Sequence, residues 1–370
     1  MTISTRKRLL GGLVAASIVV ALAGCASAPE ESTSSGESTG GAAVAGFLPC
    51  MVSDAGGFDD KSFNQLGYEG LQKAAKELGV DYKGVQSNSE SDFAPNLTSL
   101  VDQNCTLITT VGFALASAAL ESANANPDID YVSIDDTVDQ NGDGKTDAPN
   151  IKPIIFDTAQ AAFMAGYAAA SYSKAKKVGT FGGMNFPTVS IFMDGFAQGV
   201  EYWNQEKSDN VQVIGWNRDT QDGSFTGGFD ANQDAINTAQ GIVDQGVDVL
   251  LPVGGPIYQS AASVIRGSGR DIALIGVDAD VYETDPTVGD LLLTSVRKLI
   301  DVGVEDAVTS AGKGNFDPTP FVGTLKNDGV GLAPFHDFES KVSPDLQGEL
   351  DAIKAGIIDG SIKVESYLNK

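Results

Sequence analysis

The chain has 370 residues, one histidine, three cysteines and a formal charge of −25. Acidity on this scale argues against nucleic acid or an anionic lipid surface as a partner of the folded body. The length is enough for two domains sharing a cleft.

Residues 1–24 read as an export signal. Arg6, Lys7 and Arg8 precede an apolar run, Leu9 to Ala23, of about fifteen residues, too short for a comfortable membrane span. The run ends in Leu22-Ala23-Gly24-Cys25, which resembles a bacterial lipobox. Cys25 would then be the acylated first residue of the mature protein, holding it by lipid on the extracytoplasmic face of the cell membrane. Residues 25–45 are rich in Ser, Gly and Thr and read as a flexible tether.

From there short apolar runs alternate with helical patterns. Gly46–Val52, Tyr82–Gln86, Thr106–Val111, Tyr131–Ile134 and Pro153–Phe156 read as strands, with helices near 62–78, 92–103, 113–125 and 158–173. The pattern returns with Val178–Gly182, Val211–Trp216, Val247–Pro252 and Ala273–Val277, separated by helices near 190–205, 230–245 and 257–267. Such alternation predicts α/β architecture with doubly wound parallel sheets covered by helices. In the first helix, Ser62 followed by Gln65 is a capping-box pattern. An apolar face follows from Phe63 to Leu78, and Gly79 supplies the stop. The loop before it, D-A-G-G-F-D-D-K-S-F-N (Asp54 to Asn64), therefore sits at the carboxyl edge of a sheet, the usual ligand side.

The chemistry open to that loop is narrow. Gly56 and Gly57 lack the lysine and spacing of a phosphate loop, and no G-x-G-x-x-G follows a strand. No H-E-x-x-H, C-x-x-C or G-x-S-x-G pattern occurs, and the one histidine, His336, has no nucleophile motif nearby. Asp54, Asp59 and Asp60 offer carboxylates for acid–base work, but nothing else completes an active site. A cleft hydrolase is thus the weaker alternative to a protein that only binds.

The stretch D-x-G-G-x-x-D-K-S-F-N resembles the signature of the basic membrane protein family, lipoprotein substrate-binding subunits of ABC importers that include purine-nucleoside receptors. The likeness continues through I-T-T-V-G-F-A-L (108–115), N-P-D-I-D-Y-V-S-I-D-D (126–136), K-V-G-T-F-G-G (177–183), F-M-D-G-F-A-Q-G-V (192–200), D-G-S-F (222–225), I-G-V-D (275–278), L-T-S-V-R-K (293–298) and N-D-G-V-G-L (327–332). The resemblance implies two lobes of type I periplasmic-binding-protein kind joined by three crossovers, residues 46–157 with 286–314 and residues 158–283 with 316–370. It also implies a permease and an ATPase as partners, a small solute in the cleft and no catalysis. Phe63 is implied to stack on a purine, with Asp54, Asn64 and Asp135 positioned to bond it; Asp136 is a rival one residue along. Asp278 and Lys298 correspond to the family's ribose-binding acid and its basic partner, and Gly254 and Gly255 let the backbone approach the ligand. A second stacking phenylalanine expected just before those glycines is replaced by Leu250 and Leu251, unless Phe186 or Trp216 fills the place. That substitution keeps a sugar or another small polar solute in view as the ligand.

Two local features remain. Cys50 lies in the first strand run and Cys105 opens the third, and a doubly wound sheet places these strands side by side. An exported protein permits a disulfide between them; two buried free thiols are the alternative. The segment Asp139 to Asn150 begins D-x-N-x-D-G, as calcium loops do, with Asp139, Asn141, Asp143, Lys145 and Asp147 at the ligand positions. Asn150 stands where such loops carry glutamate, and Asp, Asn and Gly also make ordinary turns. A structural Ca²⁺ is therefore an option there, and no organic cofactor is expected.

Overall fold

The computed structural model describes residues 43–369. The leader, Cys25 and nearly all of the tether lie outside them. The first half alternates β1 (Pro49–Ser53), α1 (Phe63–Leu78), β2 (Lys83–Gln86), α2 (Phe93–Asp102), β3 (Leu107–Val111), α3 (Ala116–Ala125), β4 (Asp130–Ile134) and β5 (Ile151–Phe156). Then come α4 (Thr158–Tyr172), β6 (Lys177–Gly182), α5 (Pro187–Lys207), β7 (Gln212–Ile214), a small hairpin of β8 (Trp216–Asn217) and β9 (Asp222–Gly223), and α6 (Gln233–Val243). The alternation continues with β10 (Val249–Val253), α7 (Ile257–Ser268), β11 (Ala273–Asp278), α8 (Val281–Thr284) and β12 (Leu292–Lys298). The chain closes with α9 (Ile300–Gly312), β13 (Phe321–Gly323), β14 (Val330–Leu332) and α10 (Leu346–Asp359).

Two six-stranded sheets result, ordered β2-β1-β3-β4-β5-β13 and β7-β6-β10-β11-β12-β14. All pairings within them are parallel except β12 with β14. Strands β1, β3, β10 and β11 are buried along their whole length. Parallel strands sandwiched between helices read as continuous apolar runs for this reason. Helix α9 packs on α1, whereas α4 packs on α5 and on the second sheet. The α4–α5 contact is backbone to backbone: a Cβ on Gly166 would lie 2.0 Å from the Phe196 carbonyl oxygen, and one on Gly199 1.9 Å from that of Phe163. Any side chain at either position would drive the helices apart.

The chain passes between the sheets three times, after β5, after β12 and between β13 and β14. This corrects the expected partition of the C-terminal half. Residues 292–298, expected in the first lobe, form a central strand of the second sheet, and residues 321–323, expected in the second, form the edge of the first. Short apolar runs such as Leu291–Val296 specify a strand but not which sheet receives it. The cap of α1 is a second correction. Ser62 makes no side-chain cap bond; its hydroxyl donates to the Val277 carbonyl at 2.9 Å. Asp60 caps instead, accepting from the backbone amides of Ser62 (2.9 Å), Asn64 (2.8 Å) and Gln65 (3.0 Å). A carboxylate takes three orphan amides better than one hydroxyl takes one. Gly79 ends the helix in the left-handed conformation, as its position implies.

Cys50 in β1 and Cys105, just before β3, are bonded to each other, with Cα atoms 5.9 Å apart. The bridge spans 55 residues, for which the chain-entropy model gives about 4 kcal/mol of stabilisation. Reducing it, or replacing both cysteines with alanine, is expected to lower the thermal transition by several degrees. An unchanged transition in dithiothreitol would show that the bridge carries no stability.

Candidate functional site

Parallel strands end on one side, so each sheet presents a row of strand carboxyl ends, the ligand side of an open α/β fold. The two rows face each other across a cavity of about 210 Å³. Asp54, Phe63, Asn64 and Asp135 reach it from the first sheet, and Gly254, Gly255, Asp278 and Lys298 from the second. All eight expected ligand residues therefore share one space. Asp136 is not in its wall: its carboxylate accepts the Val138 amide in the following turn. The I-D-D register thus places Asp135 toward the cavity.

The loop 54–64 is held by its own carboxylates. The Asn64 side-chain Nδ2 donates to Asp54 Oδ1 at 2.7 Å and to Asp60 Oδ2 at 3.2 Å. Asp54 Oδ1 also accepts the Gly56 amide at 3.1 Å. Both Asp60 oxygens are consumed by this network and the α1 cap, so Asp60 shapes the loop and is not available as a base. Burial pushes the Asp54 carboxyl up to about 6, the bonds from Asn64 and Gly56 resisting and the charges of Asp60 and Asp135 adding to the rise.

Across the cavity Lys298 is 3% exposed. Its Nζ lies 2.6 Å from Asp135 Oδ2 and 3.5 Å from Asp278 Oδ1. The rings of Phe63 and Phe192 flank it, each with its centroid 5.1 Å away. Burial opposes the lysine charge, but the two carboxylates outweigh it and hold the ammonium above its ordinary range. Burial likewise raises Asp135, and Asp278 to about 6, against the pull of Lys298. Both aspartates have left-handed backbone, φ 68° and 66°, a conformation uncommon outside glycine. Such strain at a strand end persists where surrounding contacts over-determine it. The buried Ser62 hydroxyl also reaches across to the Val277 carbonyl (2.9 Å) and Asp278 Oδ2 (3.2 Å), and the Thr284 hydroxyl donates to the Lys61 carbonyl at 2.6 Å.

The aromatic wall differs from expectation. Leu250 and Leu251 are fully buried in β10 and do not reach the cavity. Trp216 is buried too, its Nε1 donating to Asp194 at 3.0 Å. Phe186 does line the cavity, between Phe113 (centroids 5.1 Å) and Phe229 (6.0 Å). Phe229 went unrecognised in the sequence because it sits in irregular chain between β9 and α6. What seats it is remote: a Cβ on Gly183 would lie 2.4 Å from its ring and one on Gly254 2.7 Å. The glycine after β10, expected to admit a ligand, thus also admits this ring.

The 139–150 loop closes on itself. Asp139 accepts the amides of Gly142, Asp143 and Gly144, Asn141 accepts that of Asp143, and Asp147 accepts that of Gln140. Asn150 Nδ2 donates to the carbonyls of Ala123, Asn126 and Ile129, anchoring it to the body. Among the described residues no group of three or more His, Cys, Asp or Glu side chains is arranged to hold a metal ion.

Comparison with known proteins bears on this geometry. The family model for PnrA-like ABC transporter substrate-binding proteins, Bmp, matches residues 47–366. The chain is similar to the CD4+ T-cell-stimulating antigen of Listeria monocytogenes serovar 1/2a, 32% identical over 86% of this chain and 88% of that one. It is also similar to the ABC transporter nucleoside-binding protein BmpA of Lactococcus lactis subsp. cremoris, 29% identical over 98% and 99%. The crystal structure of a solute-binding protein of an ABC transporter system from Aeropyrum pernix K1 shares the fold, with a TM-score of 0.75 at 24% identity over 86% of this chain and 92% of that one. With a family model spanning nearly the whole folded body and relatives aligned along most of their length, the chain belongs to the Bmp family of PnrA-like ABC transporter substrate-binding proteins.

Proposed function

We propose that this protein is the lipid-anchored, extracytoplasmic receptor of an ABC importer, that its solute is a purine nucleoside, and that it binds without catalysis. The observation that carries this reading is the cavity between the facing strand ends, with Phe63, Asp54 and Asn64 on one wall and Asp278 and Lys298 on the other. A flat ring can lie against the partly exposed Phe63, and aromatic stacking contributes about 1–3 kcal/mol per base in nucleic-acid systems. A carboxylate such as Asp278 can accept two sugar hydroxyls. Phe113, Phe186 and Phe229 supply the apolar surface that Leu250 and Leu251 do not. The lipid anchor rests on Leu-Ala-Gly-Cys25, and the relative named for nucleoside binding supports the solute class. Closure of the two halves over the solute would create the surface that a permease and its ATPase recognise.

A thermal-shift screen of nucleosides, sugars and amino acids tests the solute class. A ligand at 100 times its Kd adds about 2.7 kcal/mol of stability, so purine nucleosides are expected to raise the transition clearly. A shift with sugars and none with nucleosides would reject the reading. Phe63→Ala is expected to weaken nucleoside binding about ten- to a hundredfold by titration calorimetry; unchanged affinity removes Phe63 from the site.

The raised Asp54 carboxyl has its own signature. Its folded value, about 6, lies above the ordinary 3.8, so between these values the folded state holds more protons than the unfolded one. Stability from this group is present in acid and lost as pH rises through that window. The ligand-free Asp54→Asn variant is therefore expected to melt above the parent at pH 7.5. The gap should narrow below pH 6 and close near pH 4. Equal melting at pH 7.5 would show that Asp54 carries no such penalty.

A further inference from the structure

The one histidine of the chain, His336, does not line the cavity. It stands in a short turn after β14 whose flanking rings, Phe335 and Phe338, are buried. The Ala333 amide donates to the Ser295 carbonyl at 2.9 Å and the Thr294 hydroxyl to the Ala333 carbonyl at 2.7 Å, which ties the approach to this turn to β12. From that base the imidazole reaches α8. Its Nε2 lies 2.9 Å and 3.2 Å from the two carboxylate oxygens of Asp280, and because a carboxylate only accepts, Nε2 carries a proton. Asp280 precedes α8 but makes no cap bond with it, so its carboxylate is left to the histidine. The Tyr282 ring stacks on the imidazole, with centroids 4.0 Å apart and planes within 6°, and its hydroxyl donates to Asp337 Oδ1 at 3.2 Å. His336 keeps this place with φ 43°, backbone that a residue other than glycine holds only where its surroundings over-determine it.

The segment held in this way, residues 279–285, joins two parts of the binding apparatus. It leaves directly from Asp278, the cavity acid that ends β11. It also carries Thr284, whose hydroxyl crosses to the Lys61 carbonyl in the loop 54–64. Val281 within it is fully buried, and the Tyr258 hydroxyl fixes its far end by donating to Asp285 at 2.8 Å. It is therefore a short arm with a fixed base whose tip touches the opposite half. We propose that His336, through Asp280 and Tyr282, is a positioning residue that holds this arm so that Thr284 latches the second half onto the loop 54–64 of the first. Loss of the clamp leaves every cavity side chain in the chain but frees Thr284 from Lys61. A latch of this kind acts on solute already bound, so its loss falls on release and not on capture, where most changes at an interface are felt. The nucleoside reading given above supplies only the probes.

The test is stopped-flow fluorescence of nucleoside release, with guanosine, inosine and adenosine as probes. His336→Ala and Thr284→Val are each expected to release bound nucleoside about two- to tenfold faster, the worth of one neutral hydrogen bond, with association unchanged. His336→Gln, whose amide nitrogen can take the place of Nε2, is expected to recover most of the difference. The double variant is expected to release no faster than Thr284→Val alone, because both changes undo the same latch, whereas effects at independent sites add. An unchanged release rate in His336→Ala, or a double variant in which the two effects add in full, would overturn the proposal and leave the nucleoside reading intact. Should His336→Ala not fold, Tyr282→Leu removes the stacking half of the clamp and the same two outcomes decide. If none of the three nucleosides binds the parent protein, the nucleoside reading falls and the clamp is read without ligand, by hydrogen exchange at the amides of residues 281–285. Faster exchange in the variant than in the parent supports the clamp, and equal exchange rejects it.

Discussion

A lysine ammonium taken out of water must be paired, and Lys298 finds its partners on both sheets. Asp135 follows β4 of the first and Asp278 ends β11 of the second. Removing one member of a buried pair leaves an uncompensated charge, far costlier than the net worth of the pair itself. The contact therefore does more than add stability: it fixes how the two rows of strand ends face each other. The left-handed backbone at both aspartates follows from the same demand, since it turns each carboxylate from its strand end toward the shared cation. Helix α9 and strand β13, placed with the first sheet after β12 has ended in the second, lead the chain back past this point.

Closure elsewhere is lighter. The bonds from Ser62 to Val277 and from Thr284 to Lys61 are neutral and contribute about 0.5–1.5 kcal/mol each, with the Ser62 hydroxyl also 3.2 Å from Asp278 Oδ2. A modest difference in affinity between open and closed forms is enough to shift a balance of that size. The cavity is meanwhile rich in carboxylates, with Asp54, Asp135 and Asp278 all raised by burial. The amino end of α1, a natural anion site, is already filled by Asp60. A neutral solute that donates hydrogen bonds suits such a wall, and a phosphorylated one does not.

Legibility in the sequence followed the range of the forces involved. Most strands and helices up to Asp278 were readable because alternating apolar runs, glycine stops and helical periodicity are local signals, the two-residue strands of the β8–β9 hairpin being the exception. The last third was not, because β13 and β14 are short and the sheet that receives β12, β13 and β14 is decided by partners far away in the chain. The same division holds in the site. The loop 54–64 and the strand-end acids stood out as patterns, whereas Phe229 carries no pattern and is seated only by Gly183 and Gly254. Ser62 looked like the helix cap because its spacing to Gln65 fits. Only the folded loop shows that Asp60 reaches the same amides with a stronger acceptor, leaving the Ser62 hydroxyl to cross the cleft.

Chain order alone thus determined the α/β class and the carboxyl-edge position of the loop after β1, while the side chains expected to gather there came from the resemblance to a known family. The first two properties depend on backbone periodicity and on the one-way run of parallel strands. The tertiary structure decided the pairing of Lys298 with acids from both sheets and the aromatic wall from Phe113 to Phe229. Each of these depends on which atoms remain unpaired once distant segments have met, and no local pattern encodes that.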